Sequence, residues 1–125
     1  MSARRERVGI VGTRLQHPEF WGVVAAYINE LDRNAIIVTG DCETGIDFIV
    51  RTIAIDRGRS LVVFYAKGRW NSIGYSAGPE RNTLVAEYVD RLIAFPCGKS
   101  SGTRDVIRKA KKLDKCVDVR ELEKG

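Results

Sequence analysis

Short apolar runs alternate along this chain with longer segments in which apolar residues recur every three or four positions. The short runs are four or five residues long and mostly rich in aliphatic residues, which is typical of strands buried on both faces of a parallel sheet. The longer segments have the spacing of helices with one buried face. The predicted strands are residues 8–11, 35–38, 61–65, 91–95 and 116–119, and the predicted helices are residues 18–32, 44–57, 79–88 and 104–113.

The alternation of strands and helices predicts an α/β fold, a Rossmann-like three-layer sandwich with a mostly parallel, five-stranded sheet of order 3-2-1-4-5. Right-handed crossovers place every strand-to-helix loop at the same edge of such a sheet. The loops after the first, second and fourth strands contain glycine and hydroxyl residues, and we expect them to meet at that edge. The chain has no repeat, linker or low-complexity segment, so residues 1–125 are predicted to form one domain.

The composition indicates a globular protein, because 44% of the residues are apolar. No apolar run approaches the roughly 18–20 residues that span a bilayer, and the charged N-terminus lacks the apolar core of a secretory signal. We therefore expect a cytoplasmic protein without a membrane partner. Three widely spaced cysteines, Cys42, Cys97 and Cys116, predict reduced, mostly buried thiols rather than a metal site, and no cofactor is predicted.

The loop after the fourth strand has the composition of an anion site. It runs from Gly98 to Thr103, between a buried strand and a predicted helix. Glycine lets the backbone approach a ligand closely, the free N–H groups of a helix start point outward, and the helix dipole favours negative charge. Lys99 and three hydroxyl residues add donors. We predict that this turn holds the phosphate of a nucleotide; a plain structural turn is the alternative.

Other residues of the same edge complete the predicted ligand site. Arg81 would neutralise the phosphate together with Lys99, and Trp70 in the long loop after the third strand would cover the base or pack on the core edge. Asp47 is either a ligand group or only a partner of the helix dipole. The predicted ligand- and phosphate-binding residues are Gly12, Thr13, Arg14, Thr39, Gly40, Gly45, Asp47, Trp70, Arg81, Asn82, Gly98, Lys99, Ser100, Ser101, Gly102 and Thr103.

Several of these motifs occur in a characteristic order and resemble the SLOG superfamily, a Rossmann-like group named after SMF/DprA and LOG, and especially its YspA-like (YpsA-related) branch. The resemblance spans residues 8–119 and implies a nucleotide-derived ligand in the pocket already placed. It also favours a homo-oligomer. The motifs are Gly12-Thr-Arg14, Val38-Thr-Gly40 with Thr44-Gly-Ile-Asp47, Ala77-Gly-Pro-Glu-Arg-Asn82, and Phe95-Pro-Cys-Gly98 with Gly102-Thr103.

The resemblance to the LOG enzymes, which release a base from a nucleoside 5′-monophosphate, leaves catalysis open. Their turn reads PGG-x-GT-x-x-E, and its glutamate is catalytic. Here the turn is two residues longer and Val106 stands at the glutamate position, where valine cannot transfer a proton or stabilise a cationic sugar. Asp105 is adjacent but turned by about 100° along the helix. Glu43 or Asp47 can supply a carboxylate from the second loop, so no catalytic residue is assigned.

Three functional hypotheses follow. The first is a module that binds or senses a nucleotide or nucleotide-derived ligand, and it is favoured. The second is a nucleotide-processing N-glycosidase or phosphoribohydrolase of the LOG kind. The third is a DprA-like binder of single-stranded nucleic acid, which the formal charge of +5 permits. Apolar residues of the Pro79 helix, Leu84, Val85 and Tyr88, belong either to the core or to a dimer face.

Overall fold

The computed structural model describes residues 4–66 and 77–123. Within them the chain alternates between strands and helices in the predicted order. The strands are β1 (Arg7–Gly12), β2 (Ile36–Gly40), β3 (Leu61–Phe64), β4 (Arg91–Phe95) and β5 (Cys116–Val119). The helices are α1 (Pro18–Glu30), α2 (Ile46–Asp56), α3 (Ala77–Tyr88) and α4 (Ser101–Lys112).

The strands form a single parallel sheet in the order β3-β2-β1-β4-β5, which confirms the predicted fold class and strand order. β1 lies at the centre, with Gly9 opposite Val38 of β2 and Leu92 of β4. The strand order reverses between β1 and β4. In open α/β sheets the carboxyl ends of the strands at such a reversal border a crevice.

Neighbouring residues of each strand face opposite sides of the sheet. Ile10 packs into a core with residues of α1 and α2, including Phe20 and Ile46. Val11, the next residue, packs into a second core with residues of α3 and α4, such as Val106. The sheet is therefore the middle of three layers, and burial on both faces explains why its strands read as nearly continuous apolar runs.

The helices occur where they were predicted, but some of their ends differ. α4 begins at Ser101, three residues before the predicted start. Ser100 adopts the left-handed conformation, with φ 38° and ψ 53°, and turns the chain directly into the helix. His17 caps α1, because its Nδ1 accepts a hydrogen bond from the Glu19 N–H at 3.2 Å.

The expectation of mostly buried thiols is wrong for one cysteine. Cys97 is buried and Cys42 is half-buried, but Cys116 is exposed because it begins β5 at the edge of the sheet. Among the described residues, every helix is too short or too polar to span a bilayer.

The apolar residues of α3 belong mainly to the core. Val85 is 1% exposed, and Tyr88 packs edge-on against Phe64 with ring centroids 5.4 Å apart. Leu84 is the member of the predicted set that is exposed, at 37%. One exposed leucine does not make a dimer face, so a homo-oligomer stays a prediction without support from this helix.

Candidate functional site

An open cleft of about 720 Å³ lies at the carboxyl ends of β1, β2 and β4, where the strand order reverses. Its size falls in the range of small-molecule sites, about 300–1,000 Å³. The loops after these strands and the first turns of α2, α3 and α4 line it. The lining residues in the described part of the chain are Val11–Leu15, Gly40, Cys42, Asp47, Gly78, Pro79, Arg81, Asn82, Val85, Cys97, Lys99–Thr103, Asp105, Val106 and Arg108.

The start of α4 presents backbone donors to this cleft. Within residues 4–66 and 77–123, no protein group accepts a hydrogen bond from the N–H of Ser101, Gly102 or Thr103. These N–H groups lie at the positive end of the helix dipole. The first turn of α4 contains no acidic side chain that would occupy them. The helix start is therefore equipped to hold an anion.

The turn before α4 is held in shape by the protein itself. The Ser100 hydroxyl accepts a hydrogen bond from the Cys97 N–H and donates one to the Cys97 carbonyl, both at 2.9 Å, and so does not cap the helix. Arg104 donates to the carbonyls of Gly98 and Lys99 at 2.5 and 3.0 Å. None of these contacts uses the N–H groups of Ser101, Gly102 or Thr103, so the amides of α4 stay available to a ligand.

Arg81 enters the cleft from the first turns of α3. Its Nη1 donates to Oδ1 of Asp41 at 2.9 Å, and the two side chains are 11% and 7% exposed. Asp41 directly follows β2, so this buried ion pair ties α3 to the carboxyl end of the sheet. The guanidinium is thereby held in one place, which suits recognition of a phosphate.

Asn82 joins α3 to α4 at the opposite wall. Its Nδ2 donates to Oδ2 of Asp105 at 3.1 Å, and Asp105 also pairs with Lys109 at 3.0 Å. Burial alone would raise the pKa of Asp105, but these hydrogen bonds and the charges of Lys109 and Arg108 outweigh it and hold the pKa below its ordinary value. Asp105 is therefore an ionised structural partner of Asn82, not a proton donor.

Asp47 is a carboxyl in a different environment. It lies in the first turn of α2, is 6% exposed, and lines the cleft. Burial raises the pKa of Asp47 above its ordinary value, although the charges of Arg81 and Arg51 and hydrogen bonds from Thr39 and the Cys42 backbone act in the opposite direction. The cleft thus contains one carboxyl that favours ionisation and one that resists it.

Two glycines let these groups come together. A Cβ at Gly40 would lie 2.6 Å from Oδ2 of Asp47 and 3.4 Å from Cζ of Arg81. Gly45 has φ 76° and ψ −149°, and a Cβ there would lie 2.1 Å from the carbonyl oxygen of Thr13. The Ile46 N–H donates to the same oxygen at 2.9 Å, so the β1 and β2 loops are locked together.

The structure brings most of the predicted ligand-binding residues to this cleft. Trp70 lies outside the described residues. Three of the predicted residues that the structure describes do not line the cleft. Thr39 is fully buried beneath it, and Gly45 packs against the loop after β1. Gly98 is exposed beside the cleft, and its carbonyl accepts a hydrogen bond from Arg104. The predicted residues that line the cleft are Gly12, Thr13, Arg14, Gly40, Asp47, Arg81, Asn82 and Lys99, Ser100, Ser101, Gly102 and Thr103.

The sequence analysis missed the acidic partners that hold the site together. Asp41 was not chosen, because its partner Arg81 lies 40 positions away in sequence and no local pattern links the two residues. Asp105 was expected to turn away from the position of Val106, yet both residues line the cleft.

The chain was compared with known proteins in sequence and in structure. No protein-family model matches it, and no curated protein is significantly similar to it in sequence. DNA processing protein A (DprA) from Streptococcus pneumoniae is similar in structure, with a TM-score of 0.78 and 18% identity over 92% of this chain and 50% of that chain. DprA from Helicobacter pylori, which binds single-stranded DNA, has a TM-score of 0.73 and 21% identity over 91% of this chain and 64% of that chain.

These similarities concern the fold. The chain spans about half to two thirds of the length of the two DprA structures. At identities of 18% and 21%, the shared feature is the Rossmann-like arrangement of the sheet and helices. Because one fold supports many functions, the function of this chain has to be argued from its own cleft.

Proposed function

We propose that the cleft binds a nucleotide or nucleotide-derived ligand, with a phosphate at the N-terminus of α4. The observation that carries this proposal is the set of amides of Ser101, Gly102 and Thr103, which have no acceptor in the described part of the protein. Lys99 lines the same cleft and adds positive charge, and Arg81 lines it with a guanidinium that its pair with Asp41 holds in place. Backbone amides, a helix dipole and two cations together match the chemistry of a phosphate.

Binding or sensing is proposed rather than LOG-type hydrolysis. Val106 is 2% exposed and lines the cleft at the position where the resemblance puts the catalytic glutamate of the LOG enzymes. Asp105, its neighbour, is held ionised by Asn82 and Lys109. Membership of the YspA-like branch of the SLOG superfamily is part of this proposal and rests on the sequence motifs.

A calorimetric titration tests the proposal with inorganic phosphate, AMP, ADP-ribose and cyclic nucleotides as probes. We expect saturable binding of at least one of the nucleotides, and we expect Gly102→Asp to weaken it at least tenfold. A Cβ at Gly102 meets no atom within 4 Å outside its own helix, so we expect this variant to fold, and its carboxylate repels a phosphate at the helix start.

Gly102→Asn is the matched control, because it has nearly the same shape as the aspartate variant without the negative charge. Its affinity for the nucleotide should stay within a few-fold of the unaltered protein. Lack of binding of every probe, or an equal loss in the two variants, would contradict the proposal.

Single-stranded DNA is a second candidate ligand, favoured by the structural similarity to the DprA of Helicobacter pylori, which binds it. The rim of the cleft carries Arg14, Lys99 and Arg108, and Arg108 has a side chain that is 70% exposed. Exposed cations beside an open cleft suit a polyanion.

Titration with a fluorescent oligothymidylate at several salt concentrations tests this candidate. Binding to DNA should weaken steeply with salt, since cations are released from the strand. Competition between AMP and the oligonucleotide would show that the two ligands bind at overlapping positions, and its loss in Gly102→Asp would place the shared position at α4. Binding of AMP with no affinity for the oligonucleotide would remove the second candidate and leave the first.

A further inference from the structure

Asp47 is a feature of the cleft that phosphate binding does not explain. It is 6% exposed and yet lines the cleft, where a carboxylate would repel a phosphate. A buried carboxyl costs free energy unless a hydrogen-bonding or charged partner compensates it. Its position therefore requires a partner.

The hydroxyl beneath it supplies little of that compensation. Thr39 has a single hydroxyl proton, and its Oγ1 lies 2.7 Å from the Ile10 carbonyl oxygen but 3.3 Å from Oδ1 of Asp47. The shorter contact takes the proton, because hydrogen bonds between oxygen atoms are usually below 3.0 Å. Thr39 is then a weak donor to Asp47, or an acceptor when Asp47 is protonated.

The nearby arginines are engaged elsewhere. Arg81 pairs with Asp41 at 2.9 Å, and Arg51 donates to two backbone carbonyls at 2.7 and 2.8 Å. Among residues 4–66 and 77–123, no cation comes within ion-pair distance of Asp47. The Cys42 backbone also hydrogen-bonds to Asp47. Because the two oxygens of a carboxylate accept about four hydrogen bonds, Asp47 keeps hydrogen-bonding capacity for a ligand.

The topology determines which part of a ligand Asp47 meets. Asp47 follows β2 and the phosphate position at α4 follows β4, with β1 between them. Neighbouring strands lie about 4.8 Å apart, so these two positions are separated by about 10 Å along the edge of the sheet. In a nucleoside 5′-phosphate, the group next to the phosphate is the sugar, and its hydroxyls point away from the phosphate.

We infer that Asp47 binds a hydroxyl of the ligand's sugar, so that the cleft selects a sugar phosphate or nucleotide in which that hydroxyl is free. This inference rests on the proposed function. A hydroxyl both donates and accepts, so it pairs with the carboxyl in either protonation state, whereas an amino group of a base pairs with the ionised form alone. Because burial raises the pKa of Asp47, its ionised form is disfavoured, and a hydroxyl suits this carboxyl better than an amino group does.

The sugar hydroxyl can be tested on the unaltered protein by changing the ligand. The probes are inorganic phosphate, ribose 5-phosphate, AMP, 2′-deoxy-AMP and 3′-deoxy-AMP, measured by calorimetry. We expect ribose 5-phosphate to bind more tightly than phosphate, and one of the two deoxy analogues to bind about tenfold more weakly than AMP, as loss of a hydrogen bond to a charged group predicts.

The variant Asp47→Asn tests the protein side of the same contact. It keeps the shape of the side chain, and we expect about a tenfold loss of affinity for AMP and for ribose 5-phosphate. Affinity for inorganic phosphate should stay the same or rise, because a negative charge is removed. The variant should also distinguish AMP from the sensitive deoxy analogue less strongly than the unaltered protein does, because a hydrogen bond to a neutral amide is weaker than one to a carboxylate.

The outcomes separate this inference from the proposed function. Equal affinity of the unaltered protein for AMP and for both deoxy analogues would overturn the inference while nucleotide binding stands. An equal loss of phosphate and AMP binding in Asp47→Asn would show a structural role and would also overturn it. Failure of every probe to bind, inorganic phosphate included, would overturn the proposed function and this inference with it.

Discussion

The Nη1 atom of Arg81 lies 2.9 Å from Oδ1 of Asp41, in an ion pair whose side chains are 11% and 7% exposed. The same Oδ1 accepts a hydrogen bond from the Ala66 N–H at 3.0 Å. Asp41 therefore joins the end of β2 to the segment after β3 and to α3. A single carboxylate both stabilises this edge of the sheet and orients the arginine of the cleft.

We expect Asp41→Asn to destabilise the protein by about 3–5 kcal/mol, because it leaves the buried guanidinium of Arg81 without its counter-charge. The free energy of unfolding in urea measures this cost. Glu6→Gln is the control, since the pair of Glu6 with Arg91 at 3.1 Å is partly exposed and is worth less than about 1 kcal/mol. Equal and small effects of the two substitutions would show that the buried pair does not stabilise the fold.

Two glycines with positive φ offer a matched comparison of steric space. Gly45 has φ 76°, and a Cβ there would lie 2.1 Å from the Thr13 carbonyl oxygen, whereas Gly58 has φ 63° with no atom within 4 Å of its Cβ position. Gly58→Ala should cost about 1–2 kcal/mol from backbone conformation alone. Gly45→Ala should cost several kcal/mol more or prevent folding, because the two loops must separate. Circular dichroism during urea unfolding compares them, and similar costs would contradict the close packing of the loops.

The sequence was sufficient to predict the fold because its local signals agree with one another. Apolar strands, helical spacing and the positions of glycine indicated the same α/β alternation, and the handedness of the crossovers then placed the loops at one edge. The start of α4 was placed three residues late, because Ser100 adopts a left-handed conformation that only glycine and asparagine signal reliably.

The meeting of the glycine loops at one edge of the sheet was predicted, but the side-chain contacts within the cleft were not. The convergence of the glycine loops follows from topology, so residues such as Gly12, Gly40 and Gly102 could be named in advance. The partners of Arg81 and Asn82 could not, because Asp41 and Asp105 lie 40 and 23 positions away in sequence and meet them through tertiary packing alone. Periodicity within one element carries no information about which polar side chains meet across two elements.

The raised pKa of Asp47 predicts a pH dependence of stability. Between pH of about 4, where the unfolded carboxyl titrates, and its higher pKa in the folded state, the folded protein retains a proton that the unfolded chain releases. The free energy of unfolding therefore falls as the pH rises through this window. Asp47→Asn removes the effect, so the stability of the variant relative to the unaltered protein should rise with pH, by up to about 1.4 kcal/mol per pH unit.

Urea unfolding at several pH values between 4 and 8 measures this difference. Asp90, Asp105 and Asp118 have lowered pKa values and lose their stabilising contribution as the pH falls. These carboxyls are present in both proteins, so their effects cancel in the comparison. A difference that stays constant over the whole range would show that Asp47 ionises normally.

The positions of the cysteines predict which thiol a ligand protects from modification. Cys42 is half-buried and lines the cleft, whereas exposed Cys116 lies opposite Arg91 at the start of β4, at the other end of the strands. In variants that keep a single cysteine, we expect Cys116 to react fastest with a thiol reagent. A saturating nucleotide should slow the reaction of Cys42 several-fold and leave Cys116 unchanged, because a ligand in the cleft covers only the first. Equal slowing at both positions would point instead to a general rigidification of the protein, and slowing at Cys116 alone would place the ligand at the opposite edge of the sheet.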